Sequence, residues 1–277
     1  MNSLTKHQPS AITELNNVTV RPILAYSDNY IWLIEDSQSK QLWLVDPGEA
    51  TPVLNQLESF PDHTLAGILI THHHDDHIGG INSLLNKYPD TPVFGIQSKR
   101  VPQVTVPVTE GESLSLSPNV TLEVISVPGH TRDHIVYFRP DDQQPLLFSG
   151  DTLFASGCGR LFEGSPSDML SSLKKLRQLP SNTLVFCAHE YTTSNLAFAE
   201  AVEPNSAEIQ QRIASVNQLR ENDQPSIPTV LSTEFDVNPF LRWDRPSVID
   251  KACELAQVKN LTEAEVFTEI RKWKDRF

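Results

Sequence analysis

A histidine-rich segment at residues 71–77, with the sequence THHHDDH, constrains this chain more than any other part of it. The apolar, β-branched residues 65–70 that precede it predict a buried strand. Gly79 and Gly80 follow, and a helix-like run begins at Ile81. The segment therefore lies where a core strand enters a loop, which is a common position for chemistry on a rigid scaffold.

Four side chains of this segment can bind metal: His72, His74, Asp76 and His77. Residues two apart share a face of an extended chain, so His72 and His74 can reach one metal ion together. Asp76 and His77 can point at a second ion once the chain turns towards the helix. The alternative is a surface loop that binds metal adventitiously, and the buried strand before the segment argues against that interpretation.

Three further predicted strands each end at a candidate ligand. They span residues 120–127, 145–149 and 183–188, and they lead to His130, Asp151 and His189. Alone, His130 or His189 would more often be a structural histidine whose hydrogen bonds are satisfied. Together with the segment 71–77, they indicate four strands that deliver histidine or aspartate to one edge of a sheet, and hence a convergent site.

The number of candidate ligands favours two metal ions over one. A zinc ion takes three or four protein ligands, whereas five histidines and two aspartates are available here. A carboxylate can bridge two cations through its two oxygens, and Asp151 is the natural bridge. We therefore predict one site formed by His72, His74, His130 and Asp151, and a second formed by Asp76, His77, Asp151 and His189. A hydroxide shared by both metals completes the predicted centre, and ligation by imidazole and carboxylate suits Zn, Fe or Mn.

Short motifs relate these ligands to a known family. The pattern T-H-x-H-x-D-H, followed by G-H-T, S-G-D-T and A-H-E-Y, resembles the metallo-β-lactamase superfamily. Within it, the chain resembles the hydroxyacylglutathione hydrolase family, also called glyoxalase II. Five further segments carry that narrower resemblance: residues 28–32, 45–48, 158–164, 238–242 and 271–277. The first motif alone specifies only the superfamily, and its combination with the last two segments makes the narrower assignment, which covers nearly the whole chain.

The resemblance implies an α/β fold, in which residues 1–190 form an αββα sandwich of two mixed sheets and residues 191–277 form a helical substrate-binding domain. The sequence agrees with this division because strand patterns largely stop after residue 190, and apolar residues then recur at helical spacing. Three helix starts are predicted from capping residues, at Thr51, Ser165 and Thr262.

The same resemblance implies a reaction. A centre with two divalent metal ions, zinc being expected and iron or manganese the alternatives, would hydrolyse S-lactoylglutathione to glutathione and D-lactate in methylglyoxal detoxification. Asp76 is expected to orient the attacking hydroxide, and Asp151 to bridge the metals. The expected substrate contacts are Arg160, Phe162, Tyr191, Arg271 and Lys274. Phe162 stands where some relatives carry a tyrosine that hydrogen-bonds glutathione, a bond that phenylalanine cannot make.

Composition bears on the partners. The formal net charge is −13 and no extended basic stripe is present, which argues against a nucleic acid partner. Acylglutathione is itself anionic, so its binding needs a local positive patch, which Arg160 and the cations of residues 271–276 can supply. No apolar run reaches membrane-spanning length, the N-terminus lacks the apolar core of a signal peptide, and the three cysteines are widely spaced. We therefore expect a cytoplasmic monomer that acts on a small molecule and has no membrane partner.

Five more positions carry specific expectations. Asp133 follows the G-H-T motif where the family usually has glycine, and it either alters the surroundings of a metal ligand or faces solvent. His134 is typical of the family but is not expected to bind metal. His73 is expected to point away from the metal ligands, and no partner is identified for His7 or His63.

Three other interpretations fit the sequence less well. A mononuclear iron persulfide dioxygenase shares the scaffold, but such relatives generally lack the C-terminal domain that ends in residues 271–277. A catalytically silent metal-binding module would be expected to have lost a ligand, and all seven are present. Oxygen-reducing flavodiiron relatives carry glutamate where His74 stands.

Overall fold

The computed structural model describes residues 12–277, and two β-sheets form its centre. The first sheet has seven strands, which lie side by side in chain order: β1 (Thr13–Leu15), β2 (Val18–Ala25), β3 (Asn29–Asp36), β4 (Gln41–Val45), β5 (Thr64–Leu69), β6 (Val93–Gly95) and β7 (Val106–Pro107). Neighbours from β1 to β4 are antiparallel, whereas those from β4 to β7 are parallel, so this sheet is mixed.

The remaining strands form the second sheet and a short hairpin. They are β8 (Ser113–Ser117), β9 (Val120–Ser126), β10 (Ile135–Arg139), β11 (Leu146–Gly150), β12 (Leu153–Phe154), β13 (Gly157–Cys158), β14 (Leu184–Cys187) and β15 (Thr229–Val230). Strands β12 and β13 make the hairpin, and the second sheet has the order β15-β14-β11-β10-β9-β8. Only β11 and β14 run parallel among its neighbouring strands, so this sheet is also mixed.

Helices cover the outer faces of the two sheets and form most of the C-terminal region. They are α1 (Ala50–Leu57), α2 (Asp75–Ile78), α3 (Ile81–Lys87), α4 (Pro166–Leu176), α5 (Thr192–Val202), α6 (Ala207–Glu221), α7 (Leu231–Val237), α8 (Pro246–Ala256) and α9 (Glu263–Lys274), with a 3-10 turn at Pro239–Leu241. Within residues 12–277, none of these helices has the length and apolar character needed to cross a membrane.

Three hydrophobic cores hold the layers together. One lies between the sheets, where the ring of Trp32 in β3 packs edge-on against Phe186 in β14 with 5.0 Å between the ring centroids. A second joins the outer face of the first sheet to α1 and α3, and a third joins the outer face of the second sheet to α4, α8 and α9. This helix–sheet–sheet–helix order confirms the predicted αββα sandwich. Because β3 is buried on both faces, its sequence is an apolar run rather than an alternating pattern.

Residues after 190 contribute to the sandwich itself. Strand β15 pairs with β14 and extends the second sheet, a strand that the sequence did not predict because two residues carry no periodicity. Asn238 Nδ2 donates to the carbonyl oxygens of Phe154, at 3.3 Å, and Gly157, at 3.0 Å, which fastens the C-terminal region to the β12–β13 hairpin. The division into two domains at residue 190 remains a prediction about folding units.

Two of the three predicted helix starts are confirmed. The side chains of Ser165 and Thr262 each accept a hydrogen bond from the backbone N–H three residues later, and both helices have a complete capping box. The prediction for Thr51 is wrong. Helix α1 begins at Ala50, after Glu49, and Thr51 lies inside the first turn, where Pro52 removes a backbone N–H that has no partner within the helix.

Replacing Thr262 with alanine should therefore lower the free energy of unfolding by about 1 kcal/mol, because α9 loses its N-cap acceptor. Urea unfolding at fixed metal content measures the effect. Thr51→Ala is the matched control, since Thr51 is exposed inside α1 and caps nothing. An equal loss in both variants would contradict the cap assignments.

Candidate metal centre

The predicted ligands meet at one edge of the sandwich because four strands end there. Three backbone hydrogen bonds fix the ends of these strands to each other or to a neighbouring strand: Ile135 N to Thr71 O at 2.9 Å, Ala188 N to Gly150 O at 3.2 Å and Tyr30 N to Ala188 O at 2.7 Å. The last of these also ties the first sheet to the second. The loops that carry the ligands are therefore fixed to each other by the backbone as well as by the cores below them.

Three histidines form the first group. His74 Nδ1 lies 3.0 Å from His72 Nε2 and 3.0 Å from His130 Nε2, so three ring nitrogens face one point. His72 and His130 are buried, whereas His74 is partly exposed. The arrangement reproduces the set of histidines predicted for the first metal.

Two histidines and a carboxylate form the second group. Asp76 Oδ2 lies 3.4 Å from His189 Nε2 and 3.7 Å from His77 Nε2. Asn29 Nδ2 donates to the same carboxylate oxygen at 3.1 Å and holds it towards the rings. These are the residues predicted for the second metal.

Asp151 lies between the two groups. Its Oδ2 is 3.4 Å from His130 Nε2 in the first group, and its Oδ1 is 3.5 Å from His77 Nε2 and 3.4 Å from His189 Nε2 in the second. Each oxygen of this buried carboxylate thus faces a different set of histidines. The geometry is that of a bridging ligand.

Two atoms at the centre indicate that these residues fit a metal. Within residues 12–277, neither His77 Nε2 nor Asp151 Oδ1 has a hydrogen-bond partner, although both atoms are buried. An unpaired buried polar atom is costly, and most such atoms in folded proteins have a partner. A divalent cation bound by imidazole nitrogens and carboxylate oxygens would satisfy both atoms.

Hydrogen bonds fix the orientation of four histidine rings. Nδ1–H of His189 donates to Asp28 Oδ1 at 2.9 Å, and Nδ1–H of His130 donates to the carbonyl oxygen of Arg160 at 2.7 Å. Each bond turns the Nε2 atom of its ring towards the centre. A carboxylate or carbonyl partner on the far side of a ligating imidazole is the usual arrangement in metal sites, because it sets the tautomer and the ring plane.

Asp46 orients the other two rings. It accepts hydrogen bonds from Thr71 N at 2.8 Å, from the Thr71 hydroxyl at 2.6 Å and from His77 Nδ1 at 3.0 Å. Because the Thr71 hydroxyl donates to Asp46, it accepts from His72 Nδ1–H, 3.1 Å away. One buried carboxylate thus orients a histidine of each group.

His134 contacts the backbone of Asp151 and the ring of His72, and the expectation that it binds no metal stays a prediction. Its Nε2 accepts from the backbone N–H of Asp151 at 3.1 Å, and its ring stacks on His72 with centroids 4.6 Å apart. Gly150 makes this contact possible, since its φ is +49° and a Cβ there would lie 2.9 Å from His134 Nε2.

The charges at the centre are unevenly distributed. Burial lowers the pKa of His72 and of His130, which favours the neutral form of both rings. For His189, burial is outweighed by the surrounding carboxylates, Asp151 most of all, which raise the pKa to about 11. The pKa of His77 is raised in the same way, because Asp151 and Asp46 outweigh burial. Burial opposes ionisation of Asp151, but the neighbouring histidines hold its pKa well below the usual range. A metal ion bound at the second group would therefore displace protons.

Three of the predicted substrate contacts flank the centre. Phe162 is 62% exposed, and its ring packs edge-on against His74 and His130 with centroids 5.4 and 5.3 Å away. The Arg160 guanidinium lies 5.9 Å from the Phe162 ring. On the other side, Tyr191 stacks on His189 with centroids 4.7 Å apart and an interplanar angle of 2°.

The two predicted C-terminal contacts differ in accessibility. Arg271 is only 5% exposed, and its guanidinium donates to the carbonyl oxygen of Cys158 at 3.1 Å and to Asp275 at 2.9 Å. Lys274 Nζ donates to the carbonyl oxygen of Ser194 at 3.2 Å, and burial lowers its pKa to about 8. A substrate carboxylate can therefore reach Lys274 more readily than Arg271.

Sequence reasoning missed three residues that hold the centre: Asp28, Asn29 and Asp46. Asp46 follows β4 directly, and the other two lie at the start of β3, so each stands at a strand end on the same edge as the ligands. The rule that identified His130 and Asp151, a ligand residue soon after the end of a strand, would have found Asp46 but not Asp28 or Asn29, which stand directly before β3 and at its first residue. Their spacing in the sequence suggested no shared metal, and they were identified only as parts of family segments.

The remaining histidines lie away from the centre. His73 points away from the ligands, as predicted, and its Nδ1 lies 2.9 Å from Asp133 Oδ1. Asp133 therefore contacts a neighbour of two ligands rather than only solvent. His63 Nε2 lies 3.3 Å from Glu35 Oε1, but within residues 12–277 neither ring nitrogen of His63 makes a hydrogen bond. His7 lies outside the described residues.

Comparison with known proteins assigns most of the chain to two families. The metallo-beta-lactamase superfamily matches residues 27–189, and the family described as hydroxyacylglutathione hydrolase C-terminus matches residues 190–277. The hydroxyacylglutathione hydrolase of Hahella chejuensis is 49% identical to this chain over 259 residues, which cover 93% of this chain and 99% of that relative.

Solved structures share the fold at lower identity. A metallo-beta-lactamase from Staphylococcus aureus is 18% identical with a TM-score of 0.61, covering 94% of this chain and 72% of its own, and shows the fold alone. The protein TTHA1623, solved in a di-iron-bound form, is 25% identical with a TM-score of 0.56 and covers 79% of this chain and 99% of its own.

Proposed function

Because the chain belongs to the hydroxyacylglutathione hydrolase family of the metallo-beta-lactamase superfamily, we propose that it hydrolyses S-(2-hydroxyacyl)glutathione. The proposed substrate is S-lactoylglutathione, and the products are glutathione and D-lactate, as in methylglyoxal detoxification. The observation that carries the proposal is the convergence of seven metal-binding side chains with the Asp151 carboxylate between two groups of histidines.

The proposed cofactor is a pair of divalent metal ions, with zinc first and iron or manganese as alternatives. The first ion would be held by His72, His74, His130 and Asp151, and the second by Asp76, His77, Asp151 and His189. Two such ions polarise a carbonyl group and lower the pKa of a bound water towards about 7. The unpaired atoms His77 Nε2 and Asp151 Oδ1 support this proposal, as does a relative that was solved in a di-iron-bound form.

Asp76 has a second task in this proposal. One of its oxygens is held by Asn29, and interactions with His189 and His77 outweigh burial and keep its pKa well below the usual range. An ionised carboxylate at this position accepts a hydrogen bond from the attacking water and directs its lone pair at the thioester carbonyl. The leaving thiol has a pKa of about 8.5, so it departs as thiolate and needs no general acid.

The substrate would lie across the surface between Phe162 and Tyr191. Phe162 offers an exposed apolar face beside the first group of histidines, and the Tyr191 ring stands beside the second. Arg160 and Lys274 supply the cations that an anionic tripeptide needs in a protein of net charge −13. Arg271 does not face the substrate but donates a hydrogen bond to the carbonyl oxygen of Cys158, two residues before Arg160.

Lys274 predicts a pH dependence of substrate binding. Burial lowers its pKa to about 8, so the ammonium loses its proton, and with it the attraction for a carboxylate, as the pH rises through that value. We expect kcat/KM to fall above about pH 8 through a rise in KM, with kcat little changed. Lys274→Met should lower kcat/KM about 10-fold below pH 8, the loss expected for one charged hydrogen bond.

Steady-state kinetics from pH 6 to 10 test this assignment. Lys274→Arg is the matched variant because it keeps a charge whose pKa lies above the range, so its profile should stay flat through pH 8. A fall at pH 8 that persists in both variants would assign the titration to another group.

A comparison of three substrates tests the reaction itself. S-lactoylglutathione should be hydrolysed, and the lactoyl thioester of N-acetylcysteamine, which lacks both carboxylates of glutathione, should be hydrolysed with a much lower kcat/KM. Glutathione persulfide should give no oxygen uptake. Oxygen uptake without thioester hydrolysis would replace the proposed function with the persulfide dioxygenase activity.

The further proposals concern the setting of the enzyme. We propose a cytoplasmic monomer that acts on a small molecule, without nucleic acid or membrane partners. The negative net charge and the absence of a basic stripe in the sequence support the exclusion of nucleic acid. Light scattering coupled to size-exclusion chromatography should give a mass near 31.0 kDa for a monomer.

A further inference from the structure

Asp133, the residue that departs from the family pattern, contacts the histidine between two ligands. Its oxygens lie 2.9 and 3.1 Å from His73 Nδ1, which donates to them. Asp133 Oδ1 also accepts from the Thr131 hydroxyl at 2.7 Å, one residue from the ligand His130. The carboxylate thus joins the loop that carries His72 and His74 to the loop that carries His130.

The network extends to two more segments. Arg100 NH1 donates to His73 Nε2 at 2.7 Å and also bonds the carboxylate of Glu163. Glu163 in turn accepts from the backbone N–H of Arg132 at 2.9 Å. Both nitrogens of the His73 ring are therefore engaged, which leaves the ring a single orientation.

Among the histidines of the two groups, His74 is the one whose ring is held by no carboxylate, carbonyl or hydroxyl within residues 12–277. Four other ligand histidines are held through Nδ1 by a carboxylate, a carbonyl or a hydroxyl. Within residues 12–277, the hydrogen-bonding contacts of His74 are to the other two histidines of its group, and Phe162 packs on its ring. Its position depends on the backbone beside it, which His73 anchors.

We propose that Asp133 is a positioning residue that acts through His73 to hold His74 in place, and so strengthens metal binding at the group formed by His72, His74 and His130. A glycine at position 133 has no side chain that could make this connection. The inference rests on the proposed metal centre but not on the thioesterase reaction. Its test reads metal affinity, so it succeeds or fails independently of the substrate.

The same side chains could instead form a third metal site. His73, Asp133 and Glu163 bring ligand atoms within 4.8 Å of one another. The Arg100 guanidinium already bonds both His73 and Glu163. Its positive charge therefore takes the place that a metal ion would have in this cluster. The positioning role is therefore the one that the contacts favour.

The experiment is a competition between the protein and a zinc chelator, with the bound zinc per chain measured at each chelator concentration. Asp133→Ala should weaken the zinc at the first group by about 10-fold, the lower end of the range for direct partners of a metal ligand, because Asp133 acts on the ligand His74 only through its neighbour His73. Asp133→Asn should retain most of the affinity, because one oxygen can still accept from both Thr131 and His73. Asp142→Ala is the matched control for the loss of one negative charge at an exposed position.

Two further variants locate the effect. In a His74→Ala background, which removes a ligand of the first group, Asp133→Ala should have no additional effect on the zinc that remains. His73→Ala should weaken zinc binding as Asp133→Ala does, and the double variant should lose no more than either single variant. His73→Ala also keeps the test available if Asp133→Ala does not fold.

Three outcomes would overturn the proposal. Asp133→Ala could bind zinc as tightly as Asp142→Ala does, or it could weaken zinc binding equally in the His74→Ala background. The protein could also bind three zinc ions and lose only the third in Asp133→Ala, which would make this cluster a metal site. Failure of the unmodified protein to bind any divalent metal would instead contradict the proposed centre.

Discussion

Replacing Asp151 with asparagine is expected to lower kcat/KM for S-lactoylglutathione by about 10³-fold or more. Removal of one preorganised catalytic group typically costs about 10²- to 10³-fold, and this change affects both groups of histidines. The two carboxylate oxygens face different groups of histidines, and asparagine replaces one oxygen with an NH2 that cannot bind a cation. We also expect the metal content to fall well below two per chain. Kinetics and elemental analysis on the same sample measure both effects.

The shape of the side chain is unchanged in Asp151→Asn, so the fold should persist. Asp142→Asn, at an exposed position, controls for the loss of one charge and should leave both quantities unchanged. If Asp151→Asn retained two metals and full turnover, Asp151 would not be the bridge.

Replacing Asp46 with alanine should reduce metal affinity by about 10- to 100-fold, although Asp46 is not one of the proposed metal ligands. The change removes the acceptor for His77 Nδ1 and for the Thr71 hydroxyl, which in turn orients His72. His77 is then free to adopt the other tautomer, in which Nε2 carries the proton and cannot bind a cation. Chelator competition measures the loss in each step of metal release.

Asp36 supplies the control for this experiment. It is also a buried carboxylate, and it accepts from the Ser117 hydroxyl at 2.6 Å and from Asn119 at 3.1 Å, at the end of β3 opposite to Asn29. Asp36→Ala should destabilise the fold without a specific loss of metal affinity. Equal losses of affinity in the two variants would show that the effect of Asp46→Ala comes from general destabilisation.

The ligands were predictable from the sequence because strand ends and ligand residues coincide. A short run rich in apolar residues predicts a strand without knowledge of its neighbours, and four such runs lead to His72, His130, Asp151 and His189. The order of the layers came from the family resemblance. The pattern of apolar residues along a strand indicates that the strand is buried, but it does not indicate which sheet the strand joins.

Other features depend on contacts that no local pattern contains. Strand β15 exists because β14 offers an edge, and the burial of Arg271 depends on Cys158, which lies 113 residues away in the chain. The contact between Asp133 and His73 joins two loops, so the sequence marked Asp133 as unusual without assigning it a partner. The sequence indicated Thr51 because threonine is a common capping residue. The residue that precedes α1 is Glu49, whose side chain makes no capping hydrogen bond, so no sequence signal marked the true start of the helix.

Titration of the metal-free protein with zinc, followed by the rate of S-lactoylglutathione hydrolysis, tests the dinuclear thioesterase most directly. Metal bound at both groups of histidines, with Asp151 between them, predicts that activity rises until two equivalents per chain have been added and then stays constant. A plateau at one equivalent would contradict the paired centre. Absence of thioester hydrolysis at any zinc, iron or manganese loading would contradict the proposed function as a whole.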